Sequence, residues 1–154
     1  MSELALGPHG WAMFIAFSFL ALSAAGVQII VGSAGGSKSL RWVLAGAALF
    51  FLAAGAFPLG RNSELHILAI AVAFVLSVLA IYLFPSMAGQ ASALLPKSVS
   101  WSLAGGVAVS VALGHSVLPM GAAQRLAAAC LLLWFGAVAL QAIRLNTQPF
   151  RPRQ

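Results

Sequence analysis

Five long apolar runs, separated by short polar or Gly/Pro-containing breaks, organise this chain. They run from about Gly10 to Val31, Leu40 to Leu59, Leu65 to Phe84, Val99 to Leu118 and Ala122 to Ile143. Each approaches the roughly 20 apolar residues that a helix needs to cross about 30 Å of hydrocarbon. Lipid offers the backbone no hydrogen-bond partner, so an isolated apolar run of this length satisfies its own N–H and C=O groups as a helix. The alternating segments of about ten residues that build a membrane β-barrel are missing. The pattern predicts an all-α membrane bundle of about five transmembrane helices. Residues 1–9 form an N-terminal segment, 10–144 the transmembrane domain and 145–154 a basic tail.

The breaks carry recognisable turn chemistry. Gly32 to Ser39 reads as a Gly/Ser-rich loop, and Phe57 to Ser63 as a turn in which Asn62 or Ser63 caps the third helix. Glu64 in the first turn of that helix suits its dipole. Pro85 is expected to end the third helix, Ser86 to Ser98 to form the longest loop, and Pro119-Met120-Gly121 to link the last two helices tightly. The fourth run is rich in Gly and Ser and is the least hydrophobic of the five. The first run has no basic stretch before it and is expected to be retained rather than cleaved as a signal.

Composition strengthens the membrane assignment. Of 154 residues, 62% are hydrophobic and 6% are charged, against about 25% charged in a soluble domain. A small soluble fold leaves much of its surface in water and could not hide this much apolar area.

Charge gives the bundle a direction. Arg61 and Arg125 fall on the side of the N-terminus; Lys38, Arg41, Lys97, Arg144, Arg151 and Arg153 fall on the other, a bias of six to two. The positive-inside rule then predicts an outer N-terminus and a cytoplasmic C-terminus. The cell membrane, in particular a bacterial inner membrane, is the expected location. Trp11 is expected at the outer interface and Trp42, Tyr82 and Trp101 at the inner one, where amphipathic rings settle. Phe50, Phe51 and Phe74 are expected to face lipid. Trp134 falls mid-span and reads as a packing or partner-facing residue. The formal net charge of +6 is scattered singly between apolar blocks. That is the pattern of orientation charges, and no nucleic-acid partner is expected.

The candidate chemistry gathers on the outer side. His66 and His115 sit near the outer ends of the third and fourth helices, with Arg61, Glu64 and Arg125 on the same face and His9 before the first span. Ionisable groups at membrane depth are costly, which makes them candidates for function. Three readings remain open: a satisfied interfacial polar cluster, a lipid or small-ligand site in which arginines meet phosphate, and a metal or haem site with His66 and His115 as ligands. His115 is the deepest of these groups. Ser102, Gly106, Ser110 and Gly114 recur every fourth residue and stack on one face of the fourth helix. Such a small-residue stripe allows close helix approach, within the chain or to a partner. The lone Cys130 reads as a small buried residue. With two acidic residues in the chain, one of them in the N-terminal segment, paired-carboxylate catalysis is excluded. Nucleophile elbows, phosphate-binding loops and dinucleotide fingerprints do not occur.

Two stretches resemble a known family. Ala54-Gly55-Ala56-Phe57-Pro58, a short polar loop and then His66 opening an apolar helix are similar to the "domain of unknown function 998" family of polytopic membrane proteins. So are Gly121-Ala122-Ala123-Gln124-Arg125, Leu131-Leu132-Leu133-Trp134 and Arg144. The resemblance extends from about Gly10 to Arg144. It implies a polytopic helical fold and carries no reaction. The family usually has a further N-terminal helix, and commonly an acidic residue after the Phe-Pro where this chain has Leu59-Gly60-Arg61. The expected function is a non-enzymatic accessory or structural subunit of a larger membrane complex, in contact with membrane lipids, other subunits or a second copy. The alternative is a protein that binds lipid or a small ligand, haem or metal at the outer His/Arg/Glu cluster.

Overall fold

In the computed structural model, residues 11–57, 63–114 and 117–147 are described. They form five α-helices and a short 3₁₀ helix, with no strand among them. α1 spans Trp11–Ser33, α2 Lys38–Ala56, α3 Ser63–Met87, α4 Lys97–Leu113 and α5 Met120–Thr147; the 3₁₀ helix, Gly89–Leu94, lies between α3 and α4. Each helix packs on the next in sequence and α5 returns to α1, which closes a ring.

Helices α1, α2, α3 and α5 are long and apolar enough to cross a membrane. Only 28–33% of each span is buried, so most of each apolar surface faces outward, where hydrocarbon would cover it. α4 has 17 residues. At about 1.5 Å rise per residue it covers about 26 Å, just short of the hydrocarbon thickness. Pro96 precedes its first residue and Gly114 follows its last, so it stops before the expected boundary at Leu118.

Small side chains line the contacts among the first three helices. Ala21 and Ala24 of α1, Ala47 and Ala54 of α2, and Ala69, Ala73 and Ala80 of α3 are all buried. Between membrane helices, where hydrocarbon gives no hydrophobic drive to associate, backbone approach through small residues supplies the packing. Large residues fill the remaining space. Phe51 is fully buried and meets Phe74 edge to face at 6.1 Å. The expectation that Phe51 faces lipid is therefore corrected: its position on α2 falls on the same face as Leu44, Ala47 and Ala54.

The end of the bundle that holds the α1–α2 turn is closely tied. Ser37 accepts a hydrogen bond from the Leu40 amide at 3.2 Å and so caps α2. The Ser37 amide donates to the Met87 carbonyl, and the Gln90 amide to that of Ala34. Gly89, with φ +62°, makes this possible, because a Cβ there would overlap the Ala34 carbonyl oxygen. Two sequence expectations change here. Pro85 does not end α3, which continues to Met87. A proline so near the C-terminus disturbs little of the helical ladder, and Ser86 bonds back to the Leu83 carbonyl. The expected long loop contains the 3₁₀ helix, which buries Ala91 and Leu94. Around this end Trp42 is exposed, and Tyr82 and Trp101 are exposed and stacked at 6.0 Å.

Candidate functional site

Of the outer cluster expected from the sequence, Glu64, His66 and Arg125 are among the described residues. Arg61 and His115, like His9, lie outside the described residues. Glu64 on α3 and Arg125 on α5 are exposed. His66, two residues beyond Glu64, turns inward and is 2% exposed. Its Nδ1 lies 2.8 Å from the Ala54 carbonyl oxygen and 3.0 Å from that of Phe57. Carbonyl oxygens only accept, so Nδ1 carries the proton and donates to both. Ala54 and Phe57 belong to the last turn and C-cap of α2, where helical carbonyls lack intrahelical partners. His66 therefore closes the end of α2 from the start of α3, and its ring rests edge-on against Phe17 of α1 at 5.7 Å. A metal-ligating imidazole also bonds through its second nitrogen. Among the described residues, however, no three His, Cys, Asp or Glu side chains come together.

One member of the small-residue stripe is placed directly against α5. Gly106 faces α5 so closely that a Cβ would sit 3.0 Å from Cys130 Sγ. Ser110 is buried and donates to the Gly106 carbonyl at 2.6 Å, Gly114 is buried and Ser102 is exposed. Cys130 is half-buried. Trp134 is fully buried. Its ring meets Phe84 of α3 edge to face at 5.2 Å, and its Nε1–H donates to Ser100 Oγ of α4 at 3.4 Å. Trp134 and Ser100 thus join three helices; the role of Ser100 had no signal in the sequence.

Three clefts lie along one seam, between the first three helices and the last two. The largest, about 410 Å³, separates α3 from α4 and α5; its walls include Ile70, Ala71, Phe74, Ala108 and Gln124. The second, about 240 Å³, lies among α1, α3 and α5, walled by Met13, Phe17, Ile70, Phe74, Gln124 and Ala128. The third, about 330 Å³, separates α1 from α5, with Gly26 and Gly136 on its walls. The first two share Ile70, Phe74 and Gln124. The first falls within the size range of small-ligand pockets, roughly 300–1,000 Å³, the second is smaller, and both linings are almost entirely apolar. Gln124 is the exception and is half-buried. The sequence did hold a signal for it, as an amide inside an apolar run, but the cleft depends on helix packing that no local pattern encodes.

No curated protein and no solved structure matches the chain. Residues 1–141 match the model of a family described as a protein of unknown function. That match covers most of the chain, including α1 to α4 and most of α5, and this multi-pass helical membrane protein therefore belongs to the DUF998 family.

Proposed function

We propose that this protein is a non-enzymatic membrane protein that seats hydrocarbon chains of membrane lipid along the seam between α1–α3 and α4–α5. The observation that carries this reading is the pair of apolar clefts that share Ile70, Phe74 and Gln124. Both open between helices whose outer faces are apolar, so the adjacent medium is hydrocarbon. An unfilled apolar gap loses dispersion contacts, at a cost on the order of 24 cal/mol per Å³ for a cavity in a protein core. Acyl chains from the bilayer relieve that cost without crossing any polar barrier. The accessory-subunit reading has less support, because Gly106, Ser110 and Gly114 are taken up by packing within the chain.

Mild extraction followed by mass spectrometry of retained lipid tests this reading. Lipid is expected in stoichiometric amount with the native chain. Ala71→Phe, which fills the larger cleft, and Ala128→Phe, which fills the smaller, are expected to reduce it. An unchanged lipid content in both folded variants would overturn the reading.

A further inference from the structure

We infer that the chain seated in the α1–α3–α5 cleft belongs to an anionic phospholipid whose phosphate is held by Arg125. This rests on the hydrocarbon-seating reading above and adds the headgroup to it. Arg125, Ala128 and Leu132 stand at i, i+3 and i+7, and so share one face of α5. Ala128 and Leu132 are wall residues of that cleft. Arg125 is exposed and stands one turn nearer the start of α5, at the end of the cleft where Met13 of α1 also lies. Its place is five residues from the first residue of a helix that begins at Met120, or about 7.5 Å at helical rise. Headgroups meet hydrocarbon near this depth of a spanning helix.

The occupant follows from charge. A hydrocarbon tail fits Phe17, Ile70, Phe74 and Ala128, and an exposed guanidinium above them fits a phosphate, to which it can donate in parallel. The acidic side chain described at this end, Glu64, is exposed and is not a wall residue of this cleft; at i with Ile67 and Ala71 at i+3 and i+7, it shares the α3 face that walls the neighbouring cleft. Gln124, beside Arg125, is a wall residue of the same cleft.

Native mass spectrometry of the purified full chain, titrated separately with phosphatidylglycerol, phosphatidylcholine, diacylglycerol and inorganic phosphate, tests this. Phosphatidylglycerol is expected to bind about tenfold more tightly than diacylglycerol, the scale of one charge-assisted contact, and more tightly than phosphatidylcholine. Inorganic phosphate is expected not to compete. Arg125→Gln should remove the preference, and Arg125→Lys should restore most of it. Ala128→Phe, or Ala128→Leu if the larger residue impairs folding, should weaken all three lipids alike. If Arg125→Gln keeps the preference while the Ala128 variants lose lipid, the headgroup inference is overturned and the hydrocarbon reading stands. If the Ala128 variants retain lipid as the native chain does, both are overturned. Competition by inorganic phosphate would also sink the inference, by showing a free anion site.

Discussion

The imidazole of His66 donates to the carbonyl of Ala54 at 2.8 Å, so the third helix seals the open end of the second. The relation links two residues 12 apart in the chain and explains a buried histidine in a membrane span without assigning it chemistry. His66→Phe is the informative substitution. It keeps a ring against Phe17 and removes the donor, leaving the Ala54 and Phe57 carbonyls without it. An orphaned buried acceptor costs about 1–3 kcal/mol. Thermal unfolding in detergent should fall accordingly, while the helix content of the folded protein stays the same. Native-like stability of His66→Phe would show that the bond does not support the α2–α3 turn.

Trp134 and Ser100 form the corresponding junction on the other side of the bundle. Ser100→Ala leaves the indole N–H buried without its partner and is expected to cost about 1–3 kcal/mol. Trp134→Phe also leaves a void beside Phe84, so its effect should be larger, about 2–5 kcal/mol. The double variant separates the two contributions. Because the bond is long at 3.4 Å, the coupling energy is expected near the low end of about 0.5–3 kcal/mol for contacting residues. Purely additive losses in unfolding measurements would remove the bond from the account and leave packing alone.

What was legible in the chain follows from where each determinant lies. The spans were legible because hydropathy over about 20 residues is a local property. Their ends were less so: Pro85 looked like a stop, but a proline near a helix C-terminus interrupts few bonds. The 3₁₀ helix was missed because its place is set by Gly89 meeting Ala34, which are distant in sequence. The outer cluster was only partly informative. His66 was found, but its role depends on the inward turn of one side chain, which separates it from exposed Glu64. The clefts had no local signature, since they are gaps between helices distant in sequence. Gln124 was visible as a polar residue in an apolar helix, without anything in the pattern to say what it faces.

Gly89 offers a test of the tied end. Its φ of +62° and the close approach of the Ala34 carbonyl both oppose a side chain. Gly89→Ala should cost about 1–3 kcal/mol in backbone strain, with more from displacing the 3₁₀ helix. The amides of Ser37 and Gln90 donate across this junction, so their hydrogen exchange should accelerate in the variant. Unchanged exchange at both positions would mean that the junction does not depend on the glycine.

Gly106 and Cys130 test the α4–α5 contact from both sides. Gly106→Leu forces atoms into space held by the sulfur, and overpacking of this kind costs about 1–3 kcal/mol. Cys130→Ala removes that sulfur and should recover part of the loss. Recovery is the decisive readout, because loss alone would also follow from an external partner surface. If Gly106→Leu leaves unfolding unchanged but alters the assembly size, the stripe serves a partner instead.

Orientation rests on charge and can be settled with the same cysteine. In a Cys130→Ala background, a cysteine at Ser39 lies beside Lys38 and Arg41, at the basic end of the bundle. The six-to-two distribution of Lys and Arg predicts a cytoplasmic location for that end by the positive-inside rule. A membrane-impermeant maleimide applied to intact cells should leave Ser39→Cys unlabelled and should label it after permeabilisation. A cysteine at Ser63, at the start of α3, should show the opposite behaviour. α4 bears on the same experiment. With 17 residues it reaches across only if the bilayer thins slightly or the helix stands nearly upright, and mismatch of a few Å costs fractions of a kcal/mol per Å. A cysteine at Ser98, at its first turn, should share the protection of Ser39→Cys, and one at Val117, beyond its end, the accessibility of Ser63→Cys. Protection of both Ser98→Cys and Val117→Cys would mean that α4 does not cross, and that α5 returns from the cytoplasmic side.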